Sequence, residues 1–194
     1  MIAYLNGIYT FKSPAVVHME VNGVGYEIQI SLNTYTHIQK LEKGILHTWL
    51  QVKEDAHVLF GFFDKAEKEI FLQLISVSGI GASTARMMLS SVQPKDLQRA
   101  IVQGDERLLE GIKGIGKKTA QRLVLELKDK LVKSSQDSNI SPLTYNSLEQ
   151  DALNALMALG IARPAAENAI KKVQSASPGI TEVEALIKKV LQAL

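Results

Sequence analysis

Two Gly-Ile-Gly triplets, at residues 79–81 and 114–116, each stand directly ahead of a run with helical spacing. The first lies in SGIGASTAR (residues 78–86) and the second in GIKGIGKKTAQR (residues 111–122). Glycine permits a sharp turn and a close backbone approach that other residues resist. A chain punctuated this way must therefore bend tightly and restart as a helix, and must do so twice, 35 residues apart.

The amides at such a bend, and in the first turn of the following helix, have no intrahelical acceptor. They point outward together and favour an anion, and a nucleic-acid phosphate fits that description. Ile80 and Ile115, between the glycines, are expected to pack inward and pin each turn. In the second copy Lys117, Lys118 and Arg122 follow at the helix start, and Lys118 and Arg122, four apart, share one face. They can neutralise neighbouring phosphates along one strand.

Charge distribution agrees. The formal net charge is only +2, but residues 1–63 sum to −1, residues 64–131 to +3 and residues 132–194 to zero. Between residues 111 and 125 there are four cations, Lys113, Lys117, Lys118 and Arg122, and no acid. Phosphate contacts of this kind carry no base information, so binding is expected to be salt-sensitive and sequence-independent.

The second copy also approaches a P-loop, with Gly111 and Gly116 in the G-x-x-x-x-G-K frame. Lys118 stands where a Ser or Thr hydroxyl would hold magnesium, and LLEGIK ahead of it reads as helix rather than strand. A plain helix–helix connector with solvated lysines is the simplest competing reading.

Around the bends, three regions emerge. Residues 1–63 read as strands: IAYLNGIYTF, AVVHMEV, GYEIQIS, LHTWLQV and HVLFGFF are rich in β-branched and aromatic residues. Asn22-Gly23 marks a tight hairpin, and NTYTHIQKL reads as a short helix between strands three and four. Five short strands predict a small antiparallel, OB-like barrel. Lys53-Glu54-Asp55-Ala56 joins the last two strands and puts two carboxylates at a hairpin tip, a pattern that a solvated turn also explains.

Residues 64–132 switch to helical period. Asp64 with Glu67 resembles a capping box, and Ile70, Phe71, Leu74 and Ile75 follow on one face. Further helices are expected from the first triplet, near Pro94, near Glu106 and after Gly116, the last carrying Leu123, Leu127 and Leu131 inward. Residues 133–146 are polar and aperiodic and read as a flexible linker. Residues 147–194 read as a small three-helix bundle with Leu156, Leu159, Ile161 and Ile187 in its core. The expected class is thus α+β and multidomain.

Other function classes find little support. The absence of cysteine excludes disulfides and thiolate zinc sites. His18, His37, His47 and His57 are scattered, and Glu54, Asp55 and His57 make a poor nuclease metal site without a third ligand. No catalytic residue, metal or cofactor is assigned. The opening MIAYLNGIYTFK lacks the order of a secretory signal, and no apolar run reaches bilayer length. A cytoplasmic protein with no membrane partner is expected.

The triplets resemble the helix-hairpin-helix motifs of DNA-binding proteins, and the chain resembles, over essentially its full length, the RuvA family of Holliday-junction-binding proteins. MIAYLNGI, VNGVGYEI, VKEDAHVLFGF and GIKGIGKKTAQRLVLELKDKL carry the resemblance in order, followed by the polar linker and helical tail. It implies a homotetramer with one concave positive face that holds a four-way junction open and square, and an octameric sandwich around the DNA as the larger form. It implies binding at Gly79, Gly81, Gly114, Gly116, Lys117, Lys118 and Arg122, and acidic pins at Glu54 and Asp55. It further implies that the bundle engages the ATP-driven motor RuvB, with the resolvase RuvC joining a larger complex. One departure stands out: Ala82 and Ser83 occupy positions where the family often carries a basic residue. The first site is therefore expected to be weaker, relying on amides and the Ser83 and Thr84 hydroxyls, with Arg86 as the cation that could compensate. A general duplex binder without junction preference, and an adaptor that works through its tail alone, remain the alternatives.

Overall fold

Val, Ile and aromatic residues alternate with polar ones through residues 4–62, and this stretch forms five strands: β1 (Tyr4–Lys12), β2 (Val16–Val21), β3 (Val24–Ile30), β4 (Lys43–Val52) and β5 (His57–Phe62). In this computed structural model, which describes residues 1–138, 147–177 and 179–193, they close into a barrel in the order β1-β2-β3-β5-β4. All pairs are antiparallel except β3 with β5. That parallel contact requires a crossover, supplied by helix α1 (Leu32–Ile38) and β4. Asn22 and Gly23 both have positive φ, 49° and 84°, and turn β2 into β3 with Val21 facing Val24. Val17, Met19, Ile28 and Leu46 fill the barrel, while His18 and Glu27 face each other outside, 3.5 Å apart.

β5 is buried on both faces. Leu59 turns into the barrel, whereas Phe60 and Phe62 turn out to meet the helices. There Phe71 sits among Trp49, Phe60 and Phe62, with ring centroids 5.4, 5.4 and 4.8 Å away. Such pairs add about 0.5–1.5 kcal/mol each beyond the area they bury. Barrel and helices are therefore one compact unit, Met1–Ser138.

The helices of that unit are α2 (Lys65–Ile75), α3 (Ala82–Ser91), α4 (Pro94–Gln103), α5 (Glu106–Glu110) and α6 (Lys117–Ser138). Their starts follow the sequence signals. Pro94 occupies the first turn of α4, and Gly104, at φ 74°, ends it. Leu123, Leu127 and Leu131 are fully buried along α6. α6 runs to Ser138, six residues into the stretch read as linker. That segment has neither Pro nor Gly, and extending an existing helix costs far less than starting one. Residues 139–146 of the same stretch lie outside the described residues.

Asp64 does cap α2, its carboxylate accepting from the Glu67 amide at 2.7 Å. The other half of the expected capping box is absent. The Glu67 carboxylate is fully buried and accepts from the hydroxyls of Ser31 and Thr34 instead. Ser31 caps α1, and Thr34 Oγ1 accepts from the Phe63 amide at 3.0 Å, so one acid joins α1, α2 and the end of β5. Burial pushes the Glu67 carboxyl above its ordinary range, against the hydrogen bonds that favour its ionised form.

The second unit contains α7 (Ser147–Ala158), α8 (Arg163–Ala176) and α9 (Val183–Ala193) around Leu156, Ile170, Leu186 and Val190. Ile161 and Ile187 pack against this core, but Leu159 is 63% exposed and is not part of it. Gly160, at φ 89°, explains the difference. The Ile161 amide bonds back to Leu156 O at 3.1 Å, which carries Ile161 inward and leaves Leu159 outside the turn.

Candidate nucleic-acid interface

The two bends repeat in backbone detail. Gly79 and Gly114 both adopt φ 91°. The Ile80 amide donates to Val77 O at 3.1 Å, and the Ile115 amide donates to Ile112 O at 3.0 Å. Gly81 O and Gly116 O each accept the first helical bond, from Ala85 and Ala120, both at 2.9 Å. Ile80 and Ile115 are each 5% exposed and join one core. Burying them anchors each bend by about 1.5–3 kcal/mol.

All four glycines, Gly79, Gly81, Gly114 and Gly116, are exposed, and a methyl group added at any of them would meet nothing within 4 Å. The concave backbone of each bend is open. Gly81 provides no side-chain cap to α3, so the amides of that first turn stay available. Ser83 is exposed beside them and Thr84 half-buried. In the second bend Lys117, Lys118 and Arg122 are exposed along the start of α6, which adds side-chain cations to the dipole. α5 precedes this bend, so the strand that a P-loop needs is absent at this position.

The two arginines singled out beside the bends behave differently from a pair of free phosphate ligands. Arg122 donates to the Ser78 carbonyl at 3.2 Å and lies 3.6 Å from Glu126. It thereby brings the α6 start and the first bend together. Arg86 does not lie free beside the first bend. It donates to Ala15 O at 2.9 Å and to the Gln29 side-chain oxygen at 2.5 Å. Desolvation there lowers its pKa from the ordinary guanidinium value. Nothing local in the sequence announces these contacts, since the partners lie 71 and 57 residues away. Glu67 does carry a local signal of its burial: it occupies an apolar stripe with Ile70, Phe71 and Leu74.

Glu54 and Asp55 are exposed at the tip of the β4–β5 hairpin. The Lys53 amide donates to Ala56 O at 2.9 Å and closes the loop. Among the described residues no ion pair or side-chain hydrogen bond engages either carboxylate. Among them, too, no group of three His, Cys, Asp or Glu is placed to hold a metal, and no helix is long and apolar enough to cross a membrane.

Comparison with known proteins adds three family-model matches: the RuvA N-terminal domain over residues 1–61, a SAM-like helix-hairpin-helix tandem over residues 71–129, and the RuvA C-terminal domain over residues 147–194. The chain is 46% identical over 194 residues to a protein of Christiangramia forsetii, with both chains fully covered. A protein of Flavobacterium psychrophilum shows the same identity and coverage. One of Cytophaga hutchinsonii is 43% identical over 198 residues, covering 99% of each chain. All three relatives are named Holliday junction branch migration complex subunit RuvA.

Proposed function

The chain belongs to the RuvA family, and from that premise we propose that it binds four-way DNA junctions by gripping phosphates at its two bends. The observation that carries this reading is the doubled bend itself: equal φ at Gly79 and Gly114, isoleucines turned in and glycines turned out. Each bend offers backbone amides to one phosphate, and Lys117, Lys118 and Arg122 add charge to the second. Ser83 and Thr84 supply hydroxyls at the first. No base edge is read, so junction shape rather than sequence selects the substrate.

Junction preference comes from the arrangement of several such sites around a crossover. Four copies would set four arms in a square, with Glu54 and Asp55 of each at the centre. Carboxylates there repel phosphates, disfavour a stacked junction and help strands separate as they exchange partners. The protein performs no chemistry in this scheme. Its helical tail, residues 147–194, engages the RuvB motor, which hydrolyses ATP; RuvC joins as the resolvase, and a second tetramer can close over the DNA. The setting is the cytoplasm.

Competition provides the test. A labelled four-way junction is displaced by unlabelled junction and by linear duplex of equal length, with molar mass followed by light scattering. The expected result is strong preference for the junction on a tetramer. Equal displacement would mean a general duplex binder instead.

A further inference from the structure

The first hairpin, α2–bend–α3, is fastened to the barrel by polar bonds. Arg86, on α3, donates to the Ala15 carbonyl, which already accepts from the Ile30 amide at 3.0 Å, and to the Gln29 side chain. One turn further along α3, Ser90 accepts from the Leu32 amide at 3.0 Å. Glu67 holds α2 to α1 on the same side. Gln29 and Ile30 are on β3, paired with Phe60 and Gly61 of β5, and β5 leads directly from the acidic tip. A continuous path of bonded groups thus runs from the helix after the first bend through Arg86 and β3 to β5, the strand that follows Glu54 and Asp55.

We propose that Arg86 is a positioning residue for junction binding, whose hydrogen bonds to Ala15 and Gln29 set the placement of the acidic tip relative to the amides of the first bend. This rests on the junction-binding reading above. The chemistry of the side chain suits such a role. A guanidinium offers several donors in a rigid fork, so it fixes an angle as well as a distance, which an ammonium does not. Its direction toward the barrel also accounts for a first bend without a free cation. Phosphate gripping and spacing are thereby divided, with Lys117 and Lys118 serving the first and Arg86 the second.

The test is a double-mutant cycle on the full-length chain with Arg86→Lys, Gln29→Ala and the pair, reading junction and duplex affinities over a salt series. Thermal unfolding confirms that each variant is folded. Expected is a loss of junction-over-duplex preference of about tenfold in each single variant, and no further loss in the pair, as for contacting groups. The dependence of log K on log salt should keep its slope, since no phosphate contact is lost. The proposal is overturned if Gln29→Ala binds like the parent, or if the pair loses the product of the two single effects. A shallower slope in Arg86→Gln, which unlike lysine cannot neutralise a phosphate, also overturns it, because Arg86 would then be a phosphate ligand. If the parent chain itself shows no junction preference, the underlying functional reading falls first, which separates the two failures.

Discussion

The Arg122 guanidinium donates to the backbone carbonyl of Ser78 at 3.2 Å, tying the helix after the second bend to the turn of the first. Glu126, 3.6 Å from Arg122 Nε, competes for the same cation. A phosphate arriving at this point must draw Arg122 from acceptors it already has. Arg122→Ala should weaken junction binding and reduce the salt slope by about 0.9. Glu126→Gln should strengthen binding about twofold, the scale of an exposed ion pair. Anisotropy titrations at several salt concentrations measure both. An unchanged slope in Arg122→Ala would assign the residue to holding Ser78 only.

Lys117 and Lys118 are exposed with no acid near them in sequence. Replacing both by Ala should flatten the slope by roughly 1.8, about 0.9 for each lost phosphate contact. The effect should be the same on junctions of unrelated sequence. Loss confined to one sequence would contradict the backbone-only grip.

Gly114 and Gly116 separate folding from binding. Gly114 has φ 91°, so Gly114→Ala strains the bend and should cost about 1 kcal/mol of stability. Gly116 has no positive φ and open space around it. Gly116→Ala should leave the unfolding transition within about 0.5 kcal/mol. Its methyl group would nonetheless stand where a phosphate must approach the amides, and junction affinity should fall. Full affinity in Gly116→Ala would place the phosphate elsewhere.

Glu54 and Asp55 make the opposite prediction. With Glu54→Gln and Asp55→Asn combined, repulsion of phosphate at the hairpin tip disappears. Affinity for linear duplex should rise more than affinity for the junction, so the ratio between them narrows in the competition assay. A ratio that stays constant would leave the carboxylates as an ordinary solvated turn.

Glu67 predicts a pH dependence of stability. Its folded pKa is raised by burial, so the folded state holds this proton more tightly than the unfolded chain. The resulting stabilisation is complete below the unfolded value of about 4.3. It is lost as pH rises through the folded value. Comparing unfolding free energies of the parent and Glu67→Gln from pH 4 upward isolates this contribution: the parent should decline relative to the variant. Glu67→Ala should cost about 1–3 kcal/mol at low pH, because the Ser31 and Thr34 hydroxyls lose their acceptor, and the cost should shrink as pH rises through the folded value.

What could be read in the chain before its structure follows a physical divide. Strands, bends and helix starts depend on neighbours in sequence, and Asn22-Gly23, Asp64 and the two triplets announce them directly. Ile80 and Ile115 are legible for the same reason, since each follows the glycine that makes the turn and precedes a helix start. The polar contacts that unite the elements depend on residues far apart. Arg86 with Gln29, Arg122 with Ser78 and Glu67 with Ser31 span 57, 44 and 36 residues, and no local pattern encodes them. Leu159 illustrates the same limit on a smaller scale: its composition suits a core, but the left-handed turn at Gly160 decides otherwise.

The first bend presents its donors from the main chain, and every amino acid except proline brings the same N–H. Replacement of the exposed Ser83 by any residue but proline would leave that supply of donors intact. Proline at Ala82, the opening position of the helix, would remove one of those donors while keeping helical φ. The main-chain donors of this bend are thus insulated from side-chain drift at Ser83, and a bend that carries no lysine of its own would keep whatever anion it holds through such drift.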